Sequence, residues 1–258
     1  ISLAEIFDQI HQLIPQPSVV KDLLLVAFCR LTIAVSKAAF NHQSMSFKKD
    51  NLQLSLFTDN SLIPNQFFDY ASEIAASARN RLTGEVQVLL ADSRQLPQET
   101  QQAFDCVITS PPYPNRMSYI RELRPYMYWL GYLTSGREAG EMDWRAIGGT
   151  WGIATSRLQT WTPSKQIKAL SAYEPLFQQV SEQSLILGNY LQKYFEDTTS
   201  HLESVYGALQ QGGKIFYIIG NSKFYDTLIP VEEIYASLFN EVGFREIEID
   251  ILRKRNSK

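Results

Sequence analysis

Residues Phe104 to Tyr119 read FDCVITSPPYPNRMSY, and the rest of the chain takes its place relative to them. Phe104, Cys106, Val107 and Ile108 form a short apolar run of the kind that builds a buried strand. The run stops at Thr109-Ser110-Pro111-Pro112-Tyr113. Each proline lacks an N–H and fixes its own φ, and Pro112 drives Pro111 toward an extended backbone, so the strand ends there. The product is a stiff turn at the carboxyl end of a strand, where open α/β sheets bind their ligands.

Such a turn can do one kind of chemistry well. The Pro111 carbonyl, held in a fixed direction, and the Ser110 hydroxyl are two hydrogen-bond acceptors side by side. Two acceptors suit an NH2 group, which has two hydrogens to donate. The Tyr113 ring offers a face for a planar base, a contact worth about 1–3 kcal/mol. The exocyclic amine of a nucleobase is a poor nucleophile because its lone pair is delocalised into the ring. Two well-placed acceptors favour a more tetrahedral nitrogen and free that pair. A Pro-Pro pair alone means little in a chain of this length; an apolar strand running into Ser-Pro-Pro-Tyr is far rarer.

These residues also resemble a family. Thr109 to Tyr113, after Asp105-Cys106-Val107-Ile108, is similar to the catalytic motif of amino-group DNA methyltransferases, and its serine form is typical of the cytosine-N4 enzymes. The resemblance implies an α/β fold: a Rossmann-like class I methyltransferase sheet, mostly parallel, with a helical N-terminal segment and a loop/helical insertion. It implies S-adenosylmethionine as cofactor and double-stranded DNA as partner, with a flipped base methylated at cytosine N4 or adenine N6. It also implies a restriction–modification setting with a partner endonuclease. Ser110, Pro111, Pro112 and Tyr113 would be the catalytic residues. Two other readings stay open: an RNA methyltransferase acting on a guanine amine, and a DNA-binding or assembly module that keeps the fold without catalysis.

Composition agrees with a cytoplasmic enzyme. The chain has 258 residues, 45% of them hydrophobic, enough for one substantial core. No apolar run approaches a membrane span, and no secretory signal is visible. Cys29 and Cys106 both lie among apolar residues and are expected to be reduced core thiols. His11, His42 and His201 lack ligand spacing, so no metal site is expected. A net charge of −3 confines any nucleic-acid surface to a local patch. The start at Ile1 leads to the expectation that the chain is part of a longer protein.

Leu3, Ile6, Phe7, Ile10 and Ile14 predict an amphipathic helix over 2–14, ended by Pro15 and Pro17. Ser18 is an N-cap for a second helix from Val19 to about Ala39, apolar on most faces and expected to be buried. Asn41, His42, Gln43 and Ser44 fall in a polar loop that either touches a ligand or is plain surface. Pro64 opens a third helix reaching Leu82, and Gly84 breaks it. Residues 1–82 thus form a helical segment.

Glu85 to Leu90 reads as a strand running into Ala91-Asp92-Ser93-Arg94. An acidic residue there, one strand before the proline turn, would share a sheet rim with Ser110. Asp92 either accepts from a nucleoside cofactor or caps its own turn. The resemblance favours the first, with Asp92 matching the adenine-binding acidic residue and Ser93 beside it. The family's Gly-rich cofactor loop has no counterpart before residue 85; it is expected upstream of Ile1 or lost. Gly148-Gly149-Thr150-Trp151-Gly152 is glycine-rich, but no strand precedes it.

Asn115, Arg116 and Arg121 follow the turn, and the two arginines either hold phosphates or are ordinary surface residues. Tyr119 to Leu133 reads as helix, with Tyr126, Trp129 and Leu130 toward the core. Residues 134–165 mix Trp144, Trp151 and Trp161 with Arg137, Arg145, Arg157 and Lys165, and read as a long ordered loop. It either meets an extruded base or is pinned by its tryptophans. Glu174 to Leu209 reads as helices with a boundary near Gly188-Asn189, ended by Gln211-Gly212-Gly213. Lys214 to Ile219 is a buried strand, Gly220-Asn221-Ser222 its loop, and Pro230 the start of a helix that Gly243 ends. Arg245 to Leu252 alternates as a half-exposed strand, and Arg253, Lys254, Arg255 and Lys258 make a basic end that lies on phosphates or in solvent. Sheet core is thus expected at 83–133 and 211–258, with 134–210 inserted for target recognition.

Overall fold

The computed structural model describes residues 2–36, 38–39, 46–47, 62–80, 83–115 and 117–252, with backbone alone at 38–39 and 46–47. The loop residues Asn41, His42, Gln43 and Ser44, the helix end at Leu82, Arg116, and the basic end at Arg253, Lys254, Arg255 and Lys258 lie outside the described residues. The chain divides into two compact units, 1–88 with 122–135, and 89–121 with 136–258.

In the first unit, α1 (Leu3–Leu13) starts at a capping box: the Ser2 hydroxyl accepts from the Glu5 N–H, and the Glu5 carboxylate accepts from the Ser2 N–H. α2 (Val19–Val35) starts at Ser18, whose hydroxyl accepts from the Lys21 N–H at 3.2 Å. It stops short of Ala39, and β1 (Ala38–Ala39) pairs antiparallel with β2 (Ser46–Phe47) instead. α2 is apolar all round, yet it is not buried all round. It packs against α1 and α3 (Leu62–Ala78), burying Ala27, Phe28 and Leu31, while Val19, Val20 and Val26 stay exposed. Ile6, Ile10, Phe28 and Leu31 make the core. Trp129, at the end of α4 (Tyr119–Trp129), closes it with its ring 5.4 Å from Phe7 and 5.3 Å from Phe28.

The second unit holds the strand from which the sequence was read. β3 (Phe104–Thr109) pairs in parallel with β4 (Leu209–Tyr217), setting Val107 opposite Ile215, Ile108 opposite Phe216 and Thr109 opposite Tyr217. Parallel strands need a long crossover, and the chain between these two is mainly helical. After α4 come α5 (Gly136–Arg145), α6 (Ile153–Leu158), α7 (Glu174–Gln183) and α8 (Leu185–Ala208). Because side chains alternate along a strand, Ile215, Tyr217 and the following Ile219 turn to one face. There they pack on a core that includes Tyr194 and Leu202 of α8 and Tyr235, Leu238 and Phe239 of α9 (Val231–Val242). The other face carries Cys106, Ile108 and Phe216, all exposed, Ile108 by 74%. Cys106 is therefore not a core thiol, and Cys29 is only partly buried.

Several expected elements differ. Glu85 to Leu90 forms no ladder, because no strand lies beside it among the described residues; Val88 is 89% exposed. Arg245 to Leu252 is likewise unpaired. The mixed architecture with a parallel pair is compatible with an α/β methyltransferase, but the described sheets are two-stranded. The glycines at 212 and 213 do not end the helix, which closes at Ala208; they sit inside β4 where the register shifts between Phe104 and Cys106. A Cβ on Gly213 would lie 3.3 Å from the Asp105 carbonyl, so the bare backbone permits the approach. The break in the long helical stretch is at Ser184 rather than Gly188. Gly188 lies within α8, where a Cβ would fall 1.8 Å from the Ser181 hydroxyl of α7. β5 (Ser222–Phe224) and β6 (Thr227–Ile229) form a hairpin where only a loop was expected.

The stretch 134–165 is not one long loop. Two amphipathic segments fold as α5 and α6, tied by both Arg157 nitrogens to the Glu141 carboxylate at 2.8 and 2.7 Å. The Trp144 ring has Lys193 at 4.7 Å and Arg157 at 5.5 Å. Lys165 pairs with Glu203 at 2.9 Å. Arg157 and Lys165 thus have carboxylate partners within the fold, and Trp144 packs against Arg157 and Lys193, as in the pinned alternative.

Candidate active site

The turn after β3 is fixed by the neighbouring strand. The Ile218 N–H donates to the Thr109 carbonyl at 2.9 Å, and the Ser110 hydroxyl donates back to the Ile218 carbonyl at 3.2 Å. The Tyr113 hydroxyl is 3.1 Å from Ser110 Oγ. Ser110 has one proton, and the Ile218 carbonyl takes it, so Tyr113 is the donor of this pair. A hydroxyl oxygen accepts through two lone pairs; one at Ser110 is used by Tyr113 and one is left. Ser110 is exposed, and the Pro111 carbonyl makes no hydrogen bond among the described residues. The turn therefore keeps two acceptors, one on Ser110 and one on Pro111.

Pro112 is held differently. Its carbonyl accepts from Tyr194 Oη at 2.7 Å, and Tyr194 Oη lies 2.9 Å from Tyr235 Oη. Both tyrosines are buried, and desolvation raises both pKa values, Tyr194 well above the ordinary value. Gly148, at φ +78°, lies beside the same group: a Cβ there would be 3.6 Å from the Tyr194 ring and 3.8 Å from the Tyr113 carbonyl. Downstream, the Asn115 side-chain oxygen accepts from the Met117 N–H, and Ser118 caps α4 by accepting from the Arg121 N–H at 3.0 Å. Asp143 on α5 then ties this segment to the glycine-rich loop. It accepts from the Ser118 hydroxyl and, at 2.7 Å, from the Trp151 N–H. Burial raises the Asp143 pKa, while those bonds and the Arg121 charge oppose the rise.

Asp92 lies in a turn docked on α8. Its carboxylate accepts from Arg94: the backbone N–H and Nε reach Oδ1 at 3.0 Å, and Nη2 reaches Oδ2 at 2.7 Å. These bonds, the side-chain one first, hold its pKa below the usual carboxylate value. Arg94 also donates to Asp197 at 2.8 Å and to the Arg145 carbonyl at 2.8 Å. A carboxylate has about four lone-pair sites, so the half-exposed Asp92 keeps capacity for another donor. The Ser93 carbonyl accepts from His201 Nδ1 at 3.1 Å, which leaves Nε2 to accept from the Tyr217 hydroxyl at 2.9 Å.

That histidine gives a pH test. Burial lowers its pKa from 6.5 despite the Ser93 bond and the Asp92 charge. The unfolded chain therefore takes up the proton first, so stability is full above the ordinary histidine pKa and falls as pH drops below about 6.5. Urea midpoints should decline from about pH 7.5 to about pH 5.5 in the wild type and decline less in His201→Gln. Equal pH profiles would exclude His201 as the titrating group.

The structure brings Ser110, Pro111, Pro112 and Tyr113 together on one turn, with Asn115 just beyond. Arg121 is buried, so it is not the plain surface arginine of one reading. Sequence reasoning missed Tyr194, Tyr235, Asp143 and Gly148 as supports of the turn, and took His201 as isolated. A signal was there in α8: Tyr190, Tyr194, Asp197 and His201 recur at spacings of three and four, placing a polar stripe on one helix face. Among the described residues no group of three or more His, Cys, Asp or Glu is arranged for a metal ion, and no helix is long and apolar enough to cross a membrane.

No protein-family profile and no solved structure matches the chain. Curated proteins do. The chain is 23% identical over 201 residues to the Type II methyltransferase M.BsoBI of Geobacillus stearothermophilus, covering 66% of this chain and 37% of that protein. It is 23% identical over 205 residues to the Type II methyltransferase M.AvaI of Nostoc sp. and to that of Anabaena variabilis, covering 74% of this chain and 41% of each. The chain thus matches about two fifths of the length of these relatives.

Proposed function

We propose that this chain carries the catalytic turn of an S-adenosylmethionine-dependent DNA methyltransferase that modifies an exocyclic amine, with cytosine N4 the favoured target and adenine N6 the other. The observation that carries the reading is the pair of open acceptors at Ser110 and Pro111, beside Tyr113, at the shared carboxyl rim of two parallel strands. Similarity to Type II methyltransferases supports the same reaction class.

The target base is flipped out of the duplex, since its amine cannot be reached in the stack. Ser110 Oγ and the Pro111 carbonyl accept the two N–H bonds, and Tyr113 stacks on the ring. The nitrogen is thereby drawn toward a tetrahedral shape that withdraws its lone pair from conjugation with the ring, and the proton lost after methylation passes to solvent at the exposed turn. No covalent base intermediate is required. Pro112 stiffens the turn; Asn115 and Arg116, next in sequence, are the proposed contacts to the DNA backbone, whereas Arg121 is buried and takes no phosphate. The helices of 136–208 would carry target recognition.

The cofactor supplies an electrophilic methyl group when bound. The residues of this chain fit its adenine end alone: Asp92, on a turn docked on α8, has spare acceptor capacity and Ser93 adjoins it; the reading also entails a Rossmann-like sheet. The expected setting is a cytoplasmic restriction–modification pair with a partner endonuclease.

Labelled methyl transfer to duplex DNA, with the product nucleoside identified by mass, tests the reading. N4-methylcytosine is expected, N6-methyladenine would change the target, and transfer to tRNA alone would replace DNA by RNA. Asp92→Ala should weaken cofactor binding by about 1.5–3 kcal/mol, the range for a hydrogen bond to a charged group. Calorimetry on the complete native polypeptide would show it, and an unchanged affinity there would reduce Asp92 to the holder of Arg94.

A further inference from the structure

The turn hangs between two short hydroxyl chains, and the functional reading uses only one of them. On the sheet side, Tyr113 donates to Ser110, which donates to the Ile218 carbonyl. On the helix side, the Tyr194 proton is committed to the Pro112 carbonyl, a group that can only accept, at 2.7 Å. Tyr235 must then be the donor across the 2.9 Å contact to Tyr194. Each hydroxyl in such a run polarises the next and strengthens it. Tyr194 and Tyr235 are each 1% exposed, so neither can be replaced by water without opening the core.

From this we infer that Tyr194, backed by Tyr235, is the positioning residue of the active-site turn. It touches no reacting atom. Its hydroxyl fixes the plane of the peptide after Pro112 and so, through two prolines with locked φ, limits the directions available to the Pro111 carbonyl and Ser110. The same ring stands against Gly148, so the glycine-rich loop is fitted to the turn from that side. A hydrogen bond from the rigid core, on a helix rather than a loop, gives the kind of support that holds a reactive geometry to a fraction of an ångström.

This inference rests on the proposed function, and its test separates the two. Tyr194→Phe removes the hydroxyl and keeps the ring. In the complete native polypeptide it should lower kcat about 10- to 100-fold, the effect of a small misplacement at a reacting centre, with KM for DNA and for cofactor within about twofold. Tyr235→Phe should lower kcat less, and should add nothing in the Tyr194→Phe background. A residue that merely packs the core would move the unfolding midpoint without that coupling in kcat. Unchanged kcat in Tyr194→Phe, or additive losses in the double variant, would overturn the inference. Should Tyr194→Phe fail to fold, Tyr235→Phe decides alone, a lowered kcat supporting and an unchanged one overturning it. A fluorine label placed at Tyr113 reads the turn without turnover. One sharp resonance in the wild type that broadens or splits in Tyr194→Phe supports positioning even where the wild type transfers no methyl group, a result that would sink the functional reading by itself. The same resonance in both proteins would overturn the positioning role.

Discussion

Ser110→Ala is expected to lower methyl transfer by about 10²- to 10³-fold, some 3–4 kcal/mol, the scale seen when one preorganised hydrogen-bonding group is removed from a developing charge. The fold should survive. Ser110 is exposed, and its loss frees one carbonyl, that of Ile218, and one donor, that of Tyr113, both near solvent. The open lone pair on Ser110 is what the amine would use, and alanine has none. Single-turnover rates of the complete native polypeptide with saturating DNA and cofactor measure the chemical step directly. A rate within threefold of wild type would remove Ser110 from the chemistry and leave it as a clip between two strands. Tyr113→Ala separates the roles further, since it deletes the stacking face and also the proton donated to Ser110.

The turn was legible because its signals are local. Pro111 and Pro112 end a strand wherever they stand, and the apolar run before them is short enough to be little else. Ser18 and Pro230 marked helix starts for the same reason. What held the turn was not legible, because Tyr194 and Tyr235 come from helices more than 80 residues downstream and a buried tyrosine looks like any core aromatic. Glu85 to Leu90 shows the converse. Alternating apolar residues state a preference for extended backbone, but a strand exists only beside another strand, and none lies beside this segment among the described residues. Gly188 and Gly213 were read as breaks because glycine weakens helices and strands. Each instead marks a close approach of backbone to a neighbour, at Ser181 and Asp105 respectively.

The 258-residue chain alone is expected to bind S-adenosylmethionine only weakly, with no saturable heat in the micromolar range. A cofactor carrying a carboxylate and a ribose is best held by backbone N–H groups that a glycine turn brings close, at the start of a helix that follows a strand. Between residues 1 and 84 the only glycine is Gly84. The glycine-rich run at Gly148 to Gly152 is the alternative cradle, and three of its N–H groups are already in use. Gly149 N–H donates to the Ala146 carbonyl at 3.1 Å, and the Trp151 N–H donates to Asp143 at 2.7 Å, with a Thr150 backbone bond to the same carboxylate. That run also follows α5 rather than a strand, and a Cβ on Gly149 would fall 1.7 Å from the Asp143 carbonyl, so Gly149 serves packing. The parallel pair tells the same story from another side. Parallel sheets bury both faces, yet Ile108 and Phe216 lie 74% and 54% exposed on the second face of β3 and β4. On the proposed reading, the proline turn would supply the amine side of a site and Asp92 one contact for the cofactor. Calorimetry on this chain measures the rest. Micromolar binding would mean that the Asp143 bonds yield to the cofactor, and Asp143→Asn should then change that affinity.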